Sequence, residues 1–213
     1  MGDKVDFKKR DKYLYLPGTR PERVVVPPLP FIMIPGQGDP NQPDGAYQKA
    51  LSLLYSLTFT IKMSKLAQAA PAGYYEYTVP PLEGLWWMAD NTPGFKAGRK
   101  SGLAWIAMIR QPDFVDGEVF AWAAAEVRRK KGLESDAAHL RTFEEGLCVQ
   151  CMHLGPYDEE PATIAKIESY LATRGFISDI GPERRHHEIY LNDPNRIAPE
   201  KLKTVLRIPV KEV

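Results

Sequence analysis

The chain has 213 residues, and its 28 basic residues nearly balance its 27 acidic residues, which leaves a formal charge of +1. This length suffices for one large domain with a buried core. Because the chain has no strong positive field, nucleic acid is not expected as a direct partner.

The N-terminal segment carries charged residues where a signal peptide would need an apolar core, and no later apolar run is long enough to span a membrane. We therefore expect a cytoplasmic protein without a membrane partner. Residues 1–30 combine charges with five prolines, which predicts an extended arm on the surface with a short strand at residues 23–26. We expect this arm to contribute packing and no chemistry.

The first group of predicted elements begins with an apolar strand at residues 31–34. Asp44 is expected to cap a helix that extends to about Gln68, since apolar residues recur at helical spacing across this stretch. Tyr55 lies on the apolar face of this helix, where a buried hydroxyl would need a hydrogen-bond partner.

Two predicted strands follow, at residues 73–79 and 82–88, and both are rich in aromatic residues. Side chains alternate across a strand, so Glu83 and Trp87 share one face of the second strand while Trp86 lies on the other. The sequence thus places a carboxylate close to an indole.

Residues 90–102 predict a hairpin loop that leads to a partner strand at residues 103–109. The stretch 94–101 is one residue short of a phosphate-binding P-loop and joins two strands, so no phosphate site is expected. A helix is then predicted at residues 113–131, with Gly132 at its end.

The two cysteines, Cys148 and Cys151, have the spacing of a redox or zinc-binding CxxC pair. They lie in an apolar stretch, residues 147–154, that predicts a buried strand, and an offset of three places them on opposite faces. Neither a disulfide nor a shared metal fits this geometry, so we expect two buried free thiols.

The strand at residues 147–154 begins a second group of elements. A loop with Gly and Pro leads to a helix that has acidic residues at its start and Gly175 near its end. Strands are predicted at residues 184–191 and 204–210.

The strand at residues 184–191 carries His186, Glu188 and Tyr190 on one face. A carboxylate between an imidazole and a phenol is unusual for a protein core. Either this face of the sheet is polar and meets solvent, or Glu188 lies at a ligand pocket among aromatic residues.

The order strand, loop, helix, strand, strand occurs twice, at about residues 31–110 and 147–210, with the 113–131 helix between them. This order predicts an α+β fold of tandem βαββ repeats with pseudo-twofold symmetry. Antiparallel sheets would carry the helices on one side and leave a ligand groove between the halves. Residues 1–30 would form the arm and residues 31–213 a single domain.

The sequence lacks the motifs of serine nucleophiles, zinc proteases and four-ligand Cys/His sites, so no metal or cofactor is expected. Carboxylates among aromatic side chains are present instead. Partial desolvation raises the pKa of such a glutamate toward that of a useful base, and ring faces beside a negative charge also attract flat or cationic ligands. Core packing explains each ring equally well. The rings concerned are Tyr75, Tyr77, Trp87, Trp105 and Tyr190.

The chain resembles stand-alone GyrI-like proteins in three segments: VPPLEGLWW at 79–87, QCMHLGPYDEE at 150–160 and HEIYLNDP at 187–194. The resemblance implies a tandem βαββ domain with a central ligand groove, a module that senses drugs in some transcription regulators. In those regulators a glutamate of a Glu-x-Tyr strand in the second repeat faces the ligand, and Glu188-Ile189-Tyr190 matches that strand.

The regulators carry a helix-turn-helix segment ahead of this domain, which is not seen here, so a direct DNA role is not expected. Some stand-alone members of the family hydrolyse the electrophilic cyclopropane of planar DNA-alkylating natural products. The LEGLWW and HEIYL motifs resemble that group more than they resemble the regulators. The resemblance therefore implies a hydrolase that detoxifies a planar aromatic compound by adding water to a strained ring.

Within this hypothesis, either Glu188 or Glu83 is the base that orients the attacking water. Either Tyr157 or Tyr55 donates a hydrogen bond to the developing oxyanion. The candidates for ligand binding are Trp87, Trp105, Tyr190, His186 and Tyr75.

The alternative is a non-enzymatic module that binds or sequesters planar or cationic drugs, with Glu188 as a counter-charge. A third hypothesis, action on gyrase or another protein partner, is implied by the family name alone and requires an exposed apolar groove. The sequence does not determine the oligomeric state.

Overall fold

A computed structural model describes residues 4–90, 92 and 100–213 of the chain. Its helices are α1 (Phe7–Arg10), α2 (Lys12–Tyr15), α3 (Ala46–Lys62), α4 (Gly117–Lys131) and α5 (Glu160–Arg174). Its strands are β1 (Val5–Asp6), β2 (Glu22–Val26), β3 (Leu29–Gln37), β4 (Tyr77–Thr78), β5 (Leu82–Met88), β6 (Leu103–Arg110), β7 (His139–Phe143), β8 (Gly146–Leu154), β9 (Phe176–Ser178), β10 (His186–Tyr190) and β11 (Lys203–Glu212). Residues 93–99 of the predicted hairpin loop, which include most of the P-loop-like stretch, lie outside the described residues.

The main sheet is antiparallel, with the order β2-β8-β11-β10-β5-β6-β3-β7 and with β9 paired to the end of β11. Strands β3, β6 and β5 of the first repeat are mirrored by β8, β11 and β10 of the second repeat. Their second strands, β5 and β10, pair with each other at the centre. The predicted tandem βαββ fold is confirmed, and the two repeats share one continuous sheet.

Helix α3 begins and ends differently from the prediction. Asp44 does not cap it, because this residue has a positive φ of 55° and Gly45 occupies the N-cap without a side-chain bond. The helix ends at Lys62 rather than near Gln68, which itself has a positive φ of 54°. Turn structure therefore replaces the last predicted helical turn.

Helices α4 and α5 follow their end signals. The Asp116 side chain accepts hydrogen bonds from the backbone N–H groups of Glu118 and Val119, so α4 begins at Gly117 rather than at residue 113. Gly132 and Gly175 end α4 and α5 in left-handed conformation, which glycine adopts without steric cost. Both glycines were predicted as the end signals.

Two helices cover the same face of the sheet. Helix α3 packs its apolar side chains on β3 and β6, and α5 packs on β8 and β11. We call this surface the helix face. Because the helices cover the outer strands of each repeat, the central strands β5 and β10 lie between them, where the groove was predicted.

The opposite side of the sheet, the arm face, is covered by the N-terminal arm. Phe7, Leu14 and Tyr15 are buried there in one cluster with residues of the central strands. Residues 7–15 form two single-turn helices rather than an extended segment, and β1 pairs in parallel with β4. The predicted short strand is present as β2 at the edge of the main sheet.

Cys148 and Cys151 are free, buried and on opposite faces, as predicted. Cys148 belongs to the cluster of the arm face, and Cys151 belongs to the cluster under α5. Among the helices of the described residues, none has the length and apolar character needed to cross a membrane.

Candidate functional site

Strand β10 places His186, Glu188 and Tyr190 on the helix face, between α3 and α5. In the antiparallel register, Glu188 lies opposite Gly84 of β5 and Leu206 of β11. Residues that are opposite in a sheet share a face, so this register decides which side chains of β5 can meet Glu188.

Glu188 is only 6% exposed, and both of its carboxylate oxygens have a polar neighbour on the same strand. The Tyr190 hydroxyl donates a hydrogen bond to Oε2 at 2.7 Å, and His186 Nε2 lies 3.2 Å from Oε1. The Trp86 Nε1–H donates in turn to the Tyr190 hydroxyl oxygen at 2.9 Å. These contacts hold the carboxylate in one orientation.

Gly84 allows Trp86 to take part in this arrangement. An added Cβ at Gly84 would lie 2.5 Å from Trp86 Nε1, well inside van der Waals contact. Only a residue without a side chain lets the indole lie across β5 and reach Tyr190. The close approach of the Trp86 indole therefore explains why the LEGLWW motif has glycine at position 84.

Aromatic rings from several elements of the helix face pack near the carboxylate. Tyr47 of α3 packs against Trp86 and Trp105, with ring centroids 5.3 Å and 4.9 Å away. Tyr157, just before α5, meets the Tyr190 ring edge-on at 5.8 Å. Burial and then the Glu188 charge raise the pKa of Tyr47 and Tyr190, so both hydroxyls stay protonated and remain donors at neutral pH.

A second carboxyl group, Glu160, belongs to the same site. It is the first residue of α5 and is only 8% exposed, and its Oε1 is buried without a hydrogen-bond partner among the described residues. Burial, then the charges of Glu188 and Asp158, raise the pKa of Glu160 well above the usual range of a carboxyl group. The direction of this shift favours the neutral form of Glu160 beside Glu188.

Of the residues predicted for the site, Glu83, Trp87 and Tyr75 lie on the arm face. Glu83 is opposite Ile189 in the register and is 1% exposed. Trp87 stacks under the Arg185 guanidinium at 4.5 Å, and Tyr75 packs in the aromatic cluster of the arm face. The structure does not bring these three residues together with Glu188.

The remaining predicted residues lie on the helix face at different depths. Trp105 is 1% exposed and fills the core under α3. Tyr157 and Tyr55 are 37% and 36% exposed, so both reach solvent at the margin of the site. Burial, followed by Glu160 and Glu188, raises the pKa of Tyr157 to about 12. Burial and then Asp193 raise the pKa of Tyr55.

Beneath the sheet, the arm face holds a separate cluster of buried charges. His187 Nδ1 lies 2.9 Å from Glu145 Oε2, and its Nε2 lies 3.0 Å from Glu83 Oε2. Arg207 Nη1 donates to the same Glu145 oxygen at 3.0 Å. The Tyr15 hydroxyl of the arm donates to Glu83 Oε1 at 3.2 Å.

Opposite charges decide the protonation of this cluster. Burial alone would lower the pKa of His187, but Glu145 and Glu83 outweigh it and raise the value to about 9. Burial alone would raise the pKa of Glu145, but His187 and Arg207 outweigh it and lower the value to about 2. His187, Glu145 and Arg207 are therefore charged and paired at neutral pH.

Two clefts open elsewhere on the surface. One of about 260 Å³ lies between β8 and α5 beside His153 and Lys166, and one of about 160 Å³ lies beside α4 and Trp122. Neither cleft touches Glu188. Within the described part of the chain, no group of three or more His, Cys, Asp and Glu residues could hold a metal ion.

Sequence reasoning missed three members of the site: Trp86, Tyr47 and Glu160. Tyr47 precedes the buried Leu54 by seven residues, about two helical turns, so helical spacing was a usable signal. Glu160 was attributed to the helix dipole together with the other acidic residues at the start of α5. The choice between Trp86 and Trp87 depends on strand register, which local alternation does not give.

The chain is similar to proteins of known structure. The GyrI-like small molecule binding domain family matches residues 19–211. Two structures from Listeria innocua each cover 98% of this chain and 100% of their own: an uncharacterized conserved protein with 45% identity and a TM-score of 0.91, and a hydrolase with 44% identity and a TM-score of 0.88. The EcmrR C-terminal domain is 12% identical over 91% of this chain and 98% of its own, with a TM-score of 0.54, and shares the fold alone. No curated protein matches the chain.

Proposed function

The chain belongs to the GyrI-like small-molecule-binding family, and we propose that it hydrolyses the strained, electrophilic cyclopropane of planar aromatic genotoxins. The observation that carries the proposal is the Glu188 carboxylate, buried among aromatic rings and held by Tyr190 and His186. The similar L. innocua protein described as a hydrolase supports hydrolysis as the reaction class. The reaction would detoxify its substrate in the cytoplasm and would use neither nucleic acid nor a cofactor.

The chemistry requires a positioned water, a base and a donor for the developing oxyanion. A cyclopropane conjugated to a carbonyl group is already electrophilic. Glu188 takes a proton from water as the water oxygen bonds to a ring carbon. One ring C–C bond breaks, and its electron pair moves to the conjugated carbonyl oxygen.

Position favours Glu188 over Glu83 as the base, because Glu83 is ion-paired on the arm face. It likewise favours Tyr157 over Tyr55 as a hydrogen-bond donor, since Tyr157 touches the Tyr190 ring. We propose that a flat ligand stacks against Tyr157 and Tyr190, the rings of the helix face that are not fully buried. The buried rings of Tyr47, Trp86 and Trp105 pack behind them, and Trp86 donates a hydrogen bond to Tyr190.

The second candidate function is non-enzymatic sequestration of planar or cationic drugs. One observation favours it: Glu188 has no arginine or lysine partner within the described residues, so its charge is available to a cationic ligand. A cation over several ring faces beside a carboxylate is bound by electrostatic attraction. In this case Glu188 would contribute to affinity and no product would form.

Glu188→Gln separates the two functions. We expect the variant to lose about a hundredfold or more in kcat with a planar, carbonyl-conjugated cyclopropane, since a general base contributes a factor of this order. Mass spectrometry measures the water adduct, and quenching of tryptophan fluorescence measures binding of the same neutral compound, which the variant should retain. Glu168→Gln, which changes an exposed glutamate of α5, is the matched control and should keep full activity.

Two results would reject hydrolysis for this substrate. One is unchanged compound with the native protein despite tight binding. The other is a native rate of adduct formation by Glu188→Gln. Loss of affinity for cationic ligands in Glu188→Gln, without product in either protein, would support sequestration.

A further inference from the structure

The buried carboxyl group of Glu160 has no role in the hydrolysis described so far. It lies on the helix face with Glu188, at the start of α5, directly after the turn that holds Tyr157. The Glu188 carboxylate already has two polar neighbours, Tyr190 and His186. Glu160 Oε1 has none among residues 4–90, 92 and 100–213, although it is fully removed from solvent.

A buried polar atom without a partner is costly and occurs at few positions in a native protein. Such an atom at a ligand site is satisfied when the ligand arrives. Glu160 follows Tyr157 by three residues, and the Tyr157 ring contacts the Tyr190 ring, whose hydroxyl donates to Glu188. Glu160 therefore lies next to the residues that hold the proposed base.

Two opposing effects act on the charge of Glu160. The start of a helix favours an ionised carboxylate through its free N–H groups. No described N–H group bonds to Oε1, however, and desolvation and the Glu188 charge both favour the protonated form. Two neighbouring buried carboxyl groups do not both ionise readily, and the direction of the pKa shift favours the proton on Glu160.

We propose that Glu160 is the proton donor of this site, a neutral carboxylic acid whose O–H binds an acceptor oxygen of an uncharged substrate and then protonates it. This inference rests on the proposed hydrolysis, in which Glu188 is the general base, and it assigns Glu160 as the general acid.

The step balances in atoms and charge. Water gives one proton to Glu188 and its oxygen to the ring carbon, and the ring C–C bond releases its electron pair to the carbonyl oxygen. Glu160 gives its proton to that oxygen, which yields the neutral hydroxyl product. Glu188 is then protonated and Glu160 ionised, and transfer of one proton between them restores the starting state.

The first experiment measures the proton itself. The infrared C=O stretch of a protonated carboxylic acid is recorded at neutral pH for the native protein and for Glu160→Gln. We expect one such band to be missing in the variant and to remain in Glu159→Gln, which changes the exposed neighbour. Identical bands in all three proteins would mean that Glu160 is ionised and would overturn the proposal, whether or not the protein is a hydrolase.

The second experiment measures turnover of a neutral, carbonyl-conjugated aryl cyclopropane. The amide that Glu160→Gln introduces still donates a hydrogen bond but has no proton to transfer, so kcat should fall about a hundredfold with KM nearly unchanged. The alkaline decline of kcat in the native protein should disappear in the variant. An unchanged kcat, or an alkaline decline that persists, would refute Glu160 as the donor.

If the native protein does not convert the compound, both the proposed hydrolysis and the role of Glu160 as proton donor in catalysis are rejected. Tryptophan fluorescence then tests separately whether the Glu160 O–H binds the acceptor oxygen of the compound. Affinity of the native protein for the neutral carbonyl compound should fall at alkaline pH, and affinity of Glu160→Gln should not. Equal pH dependence in both proteins would overturn the binding role as well.

Discussion

The two faces of strand β10 hold glutamates in opposite electrostatic surroundings. On the arm face, Glu145 and Glu83 meet His187 and Arg207, and every negative charge has a positive neighbour within ion-pair distance. On the helix face, Glu188 shares its surroundings with Glu160, a second carboxyl group, and with aromatic rings. Adjacent residues of one strand thus belong to two kinds of buried polar site.

The difference separates a structural cluster from a candidate active site. Paired buried charges fix the arm on the sheet, and removal of one partner leaves another charge buried and uncompensated. Two carboxyl groups that share a buried site do not stabilise each other, and such pairs are frequent at functional sites. The comparison predicts opposite consequences for equivalent substitutions on the two faces.

The largest expected difference in the free energy of unfolding is between Glu145→Gln and Glu188→Gln. Glu145→Gln removes the anion that His187 and Arg207 share, which should lower the free energy of unfolding by about 3 to 5 kcal/mol. Glu188→Gln should change it by less than about 1 kcal/mol, because a glutamine still accepts the Tyr190 hydrogen bond. Urea unfolding at pH 7 measures both values. Equal losses in the two variants would remove the distinction between the faces.

The pH dependence of stability should come from His187. Its pKa is about 9 in the folded protein against an ordinary value of 6.5, so the folded state binds the proton more tightly. This stabilisation is fully present below about pH 6.5 and is lost as the pH rises through about 9, a total of about 3 kcal/mol. Unfolding free energies between pH 6 and pH 9.5 should therefore decline, and His187→Gln should flatten the decline.

His139→Gln is the control for this measurement, since His139 is exposed on β7. Its stability curve should parallel that of the native protein. The NMR signals of the His187 ring provide a direct check if the His187 variant does not fold, because they should titrate well above neutral pH. A His187 ring that titrates near its ordinary value would contradict the charged cluster.

The two repeats, and the alternation of side chains across each strand, were predictable because both depend on the local pattern of residues in the sequence. The order of elements predicted the tandem βαββ fold, and the spacing in β10 predicted that His186, Glu188 and Tyr190 share a face. The relation between β5 and β10 was not predictable, because it depends on the register of strands far apart in sequence. A slip of one residue would place Glu83 and Trp87, rather than Gly84 and Trp86, beside Glu188.

The sequence pattern also did not predict which polar residues are buried on the arm face. Glu145 lies in the short loop before β8, where no periodicity signals burial, and its partners come from β10 and β11. Tyr15 comes from an arm in which prolines and charges predicted extended structure on the surface. Long-range packing decided both positions, and single-sequence patterns do not contain that information.

The smallest expected effect tests whether the arm contributes only packing. Tyr15→Phe removes the hydroxyl that donates to Glu83 Oε1 and leaves that buried oxygen without this donor, so the free energy of unfolding should fall by about 1 to 3 kcal/mol. Tyr13→Phe, on the same short helix but 53% exposed, should change it by less than about 0.5 kcal/mol. Both variants should keep the kcat of the native protein, because Tyr15 and Glu83 lie on the arm face, away from Glu188. A loss of kcat in Tyr15→Phe without a loss of stability would show that the two faces are coupled through the central strands, and the arm would then belong to the active site.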